Sequence, residues 1–505
     1  MSPSVADVFA AVWTLGEWVL IVIVFLGALP VVAATYQFAL IGVHARRHHY
    51  HRTAYHEPRV AILVPAWNEG AVVGASIDRL VGLDYPADKL RVYVVDDAST
   101  DDTPDVVIAK GVEYPGQVVH LRREKGGQGK AHTLNHGLRL ILADAWMEAL
   151  LIMDADVIYE PDSLRKMTRH LADPQVGAVT AYIKEGSQPG NYLQRFVAYE
   201  YVTAQAAARR AQNVLGVLAC LAGGAQLHSR ENLEAIGGQI DTSSLAEDTF
   251  TTFSTQIAGR RVVFDGNATV WAEEPDDIVG LWKQRLRWAR GNVQVTRRFK
   301  HLWFRPHQGH RLGSFTFAVL WFCLFLLPVF MIMSSLALLT LFFADAELAW
   351  SVFHQLWIIN ALCYVFITTF ALAIDPPTAR RSWKEAIAFP GLVSVLIIAY
   401  TCAPGVFGWL VATWGDLTGL HWSGVTTTMV VLIAYSWLAL CMPVAYLGKK
   451  AEELGRAWLS PLFVYLGGYG PLLCAVTFTS YIYEARGAEM SWDKTVKTGK
   501  VALPR

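Results

Sequence analysis

Leu151-Ile-Met-Asp154-Ala-Asp156-Val157 runs from apolar residues straight into two carboxylates with one residue between them. With Ala149 and Leu150 ahead of it, the stretch reads as a buried strand over 149–153. Its C-terminal end then carries both acids, at the position where open α/β sheets bind ligands. A turn at the strand end lets both reach one divalent cation, directly or through water. Hard cations such as Mg²⁺ or Mn²⁺ favour oxygen ligands and share them with a substrate diphosphate. An isolated Asp-x-Asp arises by chance in many loops, so the neighbouring segments must carry the reading.

Two earlier runs have the same form. Val60-Ala-Ile-Leu-Val64 ends at Pro65, and Leu90-Arg-Val-Tyr-Val-Val95 ends at Asp96-Asp97. Residues 70–83 and 130–144 between these runs carry helical patterning. Strands alternating with helices predict an α/β domain over about residues 59–300, with a parallel sheet covered on both faces. Trp67-Asn68-Glu69, Asp96-Asp97 and Asp154/Asp156 would then line one edge of that sheet, a crevice suited to a nucleotide and a metal.

Outside this region the chain is strongly apolar. Hydrophobic residues make up 53% of the whole, and mean hydropathy is +0.31. Balanced charge, 43 basic against 43 acidic residues, gives no footprint for a nucleic-acid partner. The six cysteines form no Cys-x-x-Cys pair, so neither a zinc site nor a disulfide framework is indicated. Residues 1–45 predict one retained transmembrane helix near 18–43, with two short spans as the competing reading. His44-Ala-Arg-Arg-His-His places the chain from residue 46 onward in the cytoplasm.

Apolar runs near 315–343, 350–374, 389–413, 424–447 and 459–483 are each long enough to cross the ~30 Å hydrocarbon core. Five crossings would leave a lysine-bearing tail outside, against the positive-inside tendency. The run 459–483, broken by Gly467-Gly-Tyr-Gly-Pro471, is therefore expected to be re-entrant or interfacial.

Six motifs in order are Val64-Pro-Ala-Trp-Asn-Glu69, Val95-Asp-Asp-Ala-Ser99, Gly129-Lys-Ala-x-x-Leu-Asn135, Asp154-Ala-Asp156, Glu247-Asp248 and Gln284-Arg-Leu-Arg-Trp288. Together they resemble the processive, membrane-integrated family-2 glycosyltransferases, which include cellulose, chitin, hyaluronan and poly-N-acetylglucosamine synthases. The likeness covers about residues 60–292 and the flanking membrane layout. It implies a cytoplasmic GT-A-like (Rossmann-like) α/β domain inserted between N-terminal and C-terminal transmembrane helices. The expected divisions are 1–45 (transmembrane), 46–300 (catalytic), 301–488 (interfacial and transmembrane) and 489–505 (cytoplasmic tail).

The resemblance also implies roles. Pro65, Trp67, Glu69, Asp97, Lys130, Asp154 and Arg287 would bind the donor, with Asp97 on the uracil or ribose and Trp67 stacked on the base. Asp154 and Asp156 would hold Mg²⁺ or Mn²⁺, Asp248 would be the general base, and Gly224, Gln284 and Trp288 would meet the acceptor. Trp492 and Thr495 faintly resemble a gating segment, against the alternative of a disordered basic tail.

Each motif also has a plain structural alternative. Trp67 fits a core or rim aromatic, Asp96-Asp97 a turn and helix cap, and Lys130 a solvated lysine. Gly223 fits a tight turn, and Glu247-Asp248 a helix N-terminus. The basic, Trp-bearing stretch 281–290 fits a helix on a membrane surface, with Lys283, Arg285 and Arg290 toward headgroups. The family pattern often reads Thr-Glu-Asp where this chain has Ala246-Glu247-Asp248.

The expected enzyme is a membrane-bound inverting β-glycosyltransferase at the cell (plasma or inner) membrane. It would polymerise sugar from a UDP-sugar, foremost UDP-N-acetylglucosamine, into an exported polysaccharide. Its expected partners are the donor, the growing polysaccharide or a lipid acceptor, membrane lipids, and an accessory export subunit. A non-processive enzyme acting on a membrane lipid is the first alternative. A nucleotide-binding transporter is the second, and the near absence of charge within the apolar runs disfavours it.

Overall fold

The computed structural model describes residues 5–46, 53–188, 190–419 and 423–490, together with Val501. Trp492 and Thr495 lie outside the described residues. Two compact units emerge, Gln37–Ala318 with Tyr483–Arg505, and Met1–Tyr36 with Val319–Ile482.

The first unit is built on one eight-stranded sheet. Its strands are β1 (Val60–Ala66), β2 (Leu90–Asp96), β3 (Val118–Arg122), β4 (Ala149–Ile152), β5 (Ile158–Tyr159), β6 (Val176–Glu185), β7 (Gln226–Ser229) and β8 (Arg261–Ala272). The order across the sheet is β3-β2-β1-β4-β7-β6-β8-β5. From β3 to β4 the pairing is parallel, as the strand–helix alternation predicts. The second half departs from that expectation. β7 runs antiparallel to both β4 and β6, β8 is parallel to β6, and β5 is antiparallel to β8. The sheet is therefore mixed, and the short Gln226–Ser229 strand, without a long apolar run, was not legible as a strand.

The central strands are apolar because both faces are covered. Every residue of Val60–Val64 and of Ala149–Ile152 is buried. Each large aliphatic side chain buried this way contributes about 1.5–3 kcal/mol. Pro65 fits a central strand because β4 pairs with β1 only as far as Leu63↔Ile152. Beyond that pair, the missing proline N–H faces no ladder partner.

The helix Lys130–Ala143 lies against β1 and β2 through Leu134, Leu138 and Ile141. Gly137 sets the closeness of that approach. A Cβ there would stand 2.5 Å from Leu63 Cδ1 and 2.8 Å from Val95 Cγ2. Only glycine permits this spacing, and the spacing fixes where Lys130 begins the helix.

In the second unit, three helices among the described residues are long and apolar enough to cross a membrane: Leu327–Ala344, Ala346–Ile374 and Gly424–Glu453. Counting bent pairs as single spans gives up to six. The single helix expected near 18–43 is instead broken after Leu26 and bent by 46°. Residues 457–485 form two helices at 97° about Gly468, in keeping with the expected interruption at Gly467-Gly468. The run expected at 315–343 is likewise divided into Phe315–Phe325 and Leu327–Ala344, and that at 389–413 into Leu392–Cys402 and Pro404–Thr418. Proline near the start of the second helix interrupts both.

Candidate active site

The parallel strands β1, β2 and β4 all end on the same edge. After β1 the chain turns at Asn68 and after β2 at Ala98, both with left-handed backbone (φ 53° and 55°). The two turns are tied together. Asn68 N–H donates to Ser99 Oγ at 2.9 Å, and Asn68 Oδ1 accepts from Thr100 N–H at 2.8 Å. Glu69 N–H bonds Thr103 Oγ1 at 2.8 Å. Trp67 stands at this rim, 37% exposed.

The two adjacent aspartates divide their work. Asp96 is fully buried, accepts Ser99 N–H at 2.8 Å and pairs with Arg122 at 2.8 Å, so it builds the turn. Asp97 reaches forward instead. It pairs with Arg123 and accepts the Gly127 N–H at 3.0 Å. Arg123 also bonds the Gln128 side-chain oxygen. One aspartate and one arginine thus hold the glycine-rich loop that ends at Gly129 (φ 102°), immediately before Lys130.

Lys130 is the centre of the constellation. Its ammonium lies 2.5 Å from Asp154 Oδ1 and 3.8 Å from Glu247 Oε1, and donates to the Gly223 carbonyl at 3.2 Å. Its side chain is 8% exposed, which removes the solvated-lysine alternative. Burial works against the charge, but Asp154 and Glu247 outweigh it and hold the Lys130 pKa above the ordinary lysine value.

Asp154 opens a tight turn in which Val157 N–H returns to its carbonyl at 3.2 Å, and Asp156 sits within that turn. Across from it, Ala222–Ala225 form a second turn, closed by Ala225 N–H to Ala222 at 2.8 Å. Both glycine carbonyls there have work. Gly223 takes Lys130, and Gly224 accepts the buried Tyr159 hydroxyl at 3.0 Å. A Cβ on Gly223 would stand 3.5 Å from both Asp248 Oδ2 and Lys130 Nζ, so these groups face one small space.

Glu247 and Asp248 begin the helix Glu247–Ile257. Glu247 is buried, and burial is the main cause that raises its carboxyl to about 7. Lys130 and Arg287 pull it back, while Asp248 pushes the same way as burial. Asp248 is half-buried, with Oδ1 accepting its neighbour's Thr249 N–H at 2.7 Å. Beside it lies Cys220, whose thiol burial and the Asp248 carboxylate push well up.

The helix Ile278–Arg298 carries Gln284, Arg287 and Trp288. Gln284 is buried and accepts from Arg285, whereas Trp288 is 36% exposed with the Arg285 guanidinium 4.1 Å from its ring centroid. The expectation that Arg285 and Arg290 face lipid headgroups is overturned. Arg285 is buried against Glu200 at 2.9 Å and Glu274 at 3.7 Å, and Arg290 is buried against Glu484 at 2.7 Å. A lone buried guanidinium is too costly, so each took a carboxylate from a distant segment.

This helix approaches the Glu247–Asp248 helix through Gly291. A Cβ at Gly291 would stand 2.5 Å from the Ala246 Cβ. The small residue at 246, where the family pattern often has threonine, thus matches a close helix contact.

Among the described residues no three His, Cys, Asp or Glu side chains converge as a metal cage. Asp154 and Asp156 still fit a hard cation, because Mg²⁺-type ions need only one or two carboxylates and complete their shell with water and substrate phosphates. Sequence reading missed Arg123, Glu247 as a titrating group, and Cys220 beside Asp248. The signal for Arg123 was present in the Arg122-Arg123 pair that ends the Val118–Leu121 run. Nothing in the order of residues shows that Cys220 meets Asp248.

Residues 58–291 match the family model described as Glycosyltransferase like family 2. The chain thus carries a glycosyltransferase family 2 domain, of GT-A-like fold. It is 32% identical to a beta-monoglucosyldiacylglycerol synthase of Synechocystis sp. over 47% of this chain and 48% of the relative. It is 25% identical to a poly-beta-1,6-N-acetyl-D-glucosamine synthase of Staphylococcus epidermidis over 47% and 55%. The chain therefore spans about half the length of each of these two relatives. A mannosyltransferase from Pyrobaculum calidifontis, solved with GDP-Man and Mn²⁺, aligns at 23% identity with a TM-score of 0.48, covering 75% of this chain and 98% of that one.

Proposed function

We propose that this protein is a membrane-embedded inverting β-glycosyltransferase that polymerises sugar from a UDP-sugar, foremost UDP-N-acetylglucosamine, into an exported polysaccharide. The observation that carries the reading is the convergence of Asp154, Glu247 and the Gly223 carbonyl on the Lys130 ammonium, with Asp248 alongside. A cation on a helix N-terminus beside carboxylates at a strand end suits a diphosphate and its counter-ion.

In this reading Asp97 and Trp67 hold the nucleotide at the ends of β1 and β2, and Lys130 and Arg287 face the diphosphate. Asp154 and Asp156 would hold Mg²⁺ or Mn²⁺, which when bound offsets the diphosphate charge. Asp248 takes the proton from the acceptor hydroxyl. The acceptor oxygen then bonds the anomeric carbon as the carbon–phosphate oxygen bond breaks, and UDP leaves. A single displacement inverts an α-linked donor to a β-linked product. Gln284, Trp288 and the Gly223-Gly224 turn would seat the acceptor. The apolar helices of the second unit would carry the product outward from a cytoplasmic active site, alone or with an export subunit.

A second reading is a single transfer to a membrane lipid, supported by the likeness to the beta-monoglucosyldiacylglycerol synthase of Synechocystis sp.. Both are tested with the full chain in lipid nanodiscs, Mn²⁺ and a panel of radiolabelled UDP-sugars. Long water-soluble polymer from one donor supports the synthase and names its sugar. A short, solvent-extractable product supports the lipid acceptor. Turnover of no donor overturns both.

A further inference from the structure

At the opposite end of the sheet from Lys130 lies a cavity of about 300 Å³. β4, β6 and β8 run in the same direction, because β7 is antiparallel to both β4 and β6. The ends of β1, β2 and β4 carry the candidate active site, so the starts of β6 and β8 define the far edge. The cavity lies there, lined by Val176 and Arg261–Val263 at those starts, by Gln256 in the last turn of the Glu247–Ile257 helix and by Gly259 just beyond it.

Its charge is one-sided. Arg260, Arg261 and Arg311 line it against a single carboxylate, Asp173. Asp173 is already engaged, 3.0 Å from Arg261. Among the described residues the Arg260 side chain makes one long hydrogen bond, 3.3 Å to the Pro174 carbonyl. Arg311 makes no side-chain hydrogen bond or ion pair among the described residues. Two histidines add to the wall. His170 holds Asp265 at 2.8 Å, and His310 stacks on His307 with centroids 4.7 Å apart. The buried His310 Nδ1 has no hydrogen-bond partner among the described residues.

We propose that this cavity is a second binding site, distinct from the donor site, for a phosphoryl anion. Three guanidinium groups against one carboxylate leave a net positive charge that a phosphoryl mono- or dianion offsets. Planar, forked donors are the groups that recognise its oxygens two at a time. Two sources present that chemistry, a phospholipid headgroup and soluble phosphate. Gln308–Arg311 directly precede the apolar helix Phe315–Phe325 in the chain, and this favours the headgroup. Because the Glu247–Ile257 helix carries Asp248 in its first turn and ends at this wall, an anion here braces the helix that, in the function proposed above, presents the base.

The test uses the full chain with EDTA present, so that no divalent ion assists phosphate at the donor site. Inorganic phosphate is titrated onto protein in neutral detergent while thermal unfolding is followed. In parallel, unfolding is compared in nanodiscs of phosphatidylcholine with and without phosphatidylglycerol. The variants are Arg260→Ala/Arg311→Ala and, as a control for general surface charge, Lys300→Ala. Stabilisation by phosphate identifies the soluble source, and stabilisation by phosphatidylglycerol alone identifies the lipid. In either case the double variant weakens the effect about tenfold or more, as expected for lost charge-assisted bonds. Lys300→Ala stays within about twofold of the unaltered chain, as an exposed charge should. Should the double variant not fold, Arg311→Ala alone serves. Absence of both effects in the unaltered chain, or equal effects in the variants, overturns the proposal.

Discussion

The Lys130 ammonium lies 2.5 Å from Asp154 Oδ1, so the residue that opens one helix pairs with the residue that opens the turn after a central strand. Lys130→Met removes the ammonium that Asp154 and buried Glu247 share. Turnover, measured as UDP release, is expected to fall about 10²–10³-fold, the usual loss when a preorganised charge is removed. The midpoint of thermal unfolding should fall as well. Turnover equal to that of the unaltered protein would show that the lysine is structural only.

Asp97 and Arg123 hold the loop that precedes Lys130. Arg123→Ala removes the bonds to Asp97 and Gln128 without touching Lys130 itself. Donor affinity, read by calorimetry with UDP, should weaken about 10–100-fold, corresponding to charge-assisted bonds of about 1.5–3 kcal/mol. Unaltered UDP affinity would detach this pair from donor binding.

Glu247 gives the protein a specific pH dependence. Its carboxyl is raised by burial to about 7 in the folded chain, from 4.5 as the ordinary value. The folded state therefore holds this proton more tightly. The associated stability is complete below the ordinary value and is lost as pH rises through about 7. At roughly 1.4 kcal/mol per pKa unit, the loss is on the order of 3 kcal/mol. Unfolding free energies of the unaltered chain and Glu247→Gln, measured in EDTA from pH 5 to 8, should diverge, the unaltered chain losing stability relative to the variant. Parallel curves would mean that Glu247 titrates normally.

The parallel half of the sheet was readable because Val60–Val64, Leu90–Val95 and Ala149–Met153 are short apolar runs ending in polar residues. The antiparallel half was not, because Gln226–Ser229 is polar and its direction is set by long-range pairing with β4 and β6. Site residues near strand ends were legible for the same reason. Their partners were not. Arg285 and Arg290 looked like surface cations on a basic helix, and only the tertiary fold supplies Glu200, Glu274 and Glu484. Helix breaks within apolar runs were legible only in part: Gly467-Gly468 announces the 97° bend, whereas the break after Leu26 lay inside an expected single span.

The assignment of Asp248 as the acceptor base is the claim on which the mechanism turns. The most direct test is the turnover number of Asp248→Asn in nanodiscs, with UDP affinity measured on the same sample. A base contributes about 10²–10⁴-fold to rate, so turnover should fall by that factor while UDP binds as before. Full turnover in Asp248→Asn would contradict the account.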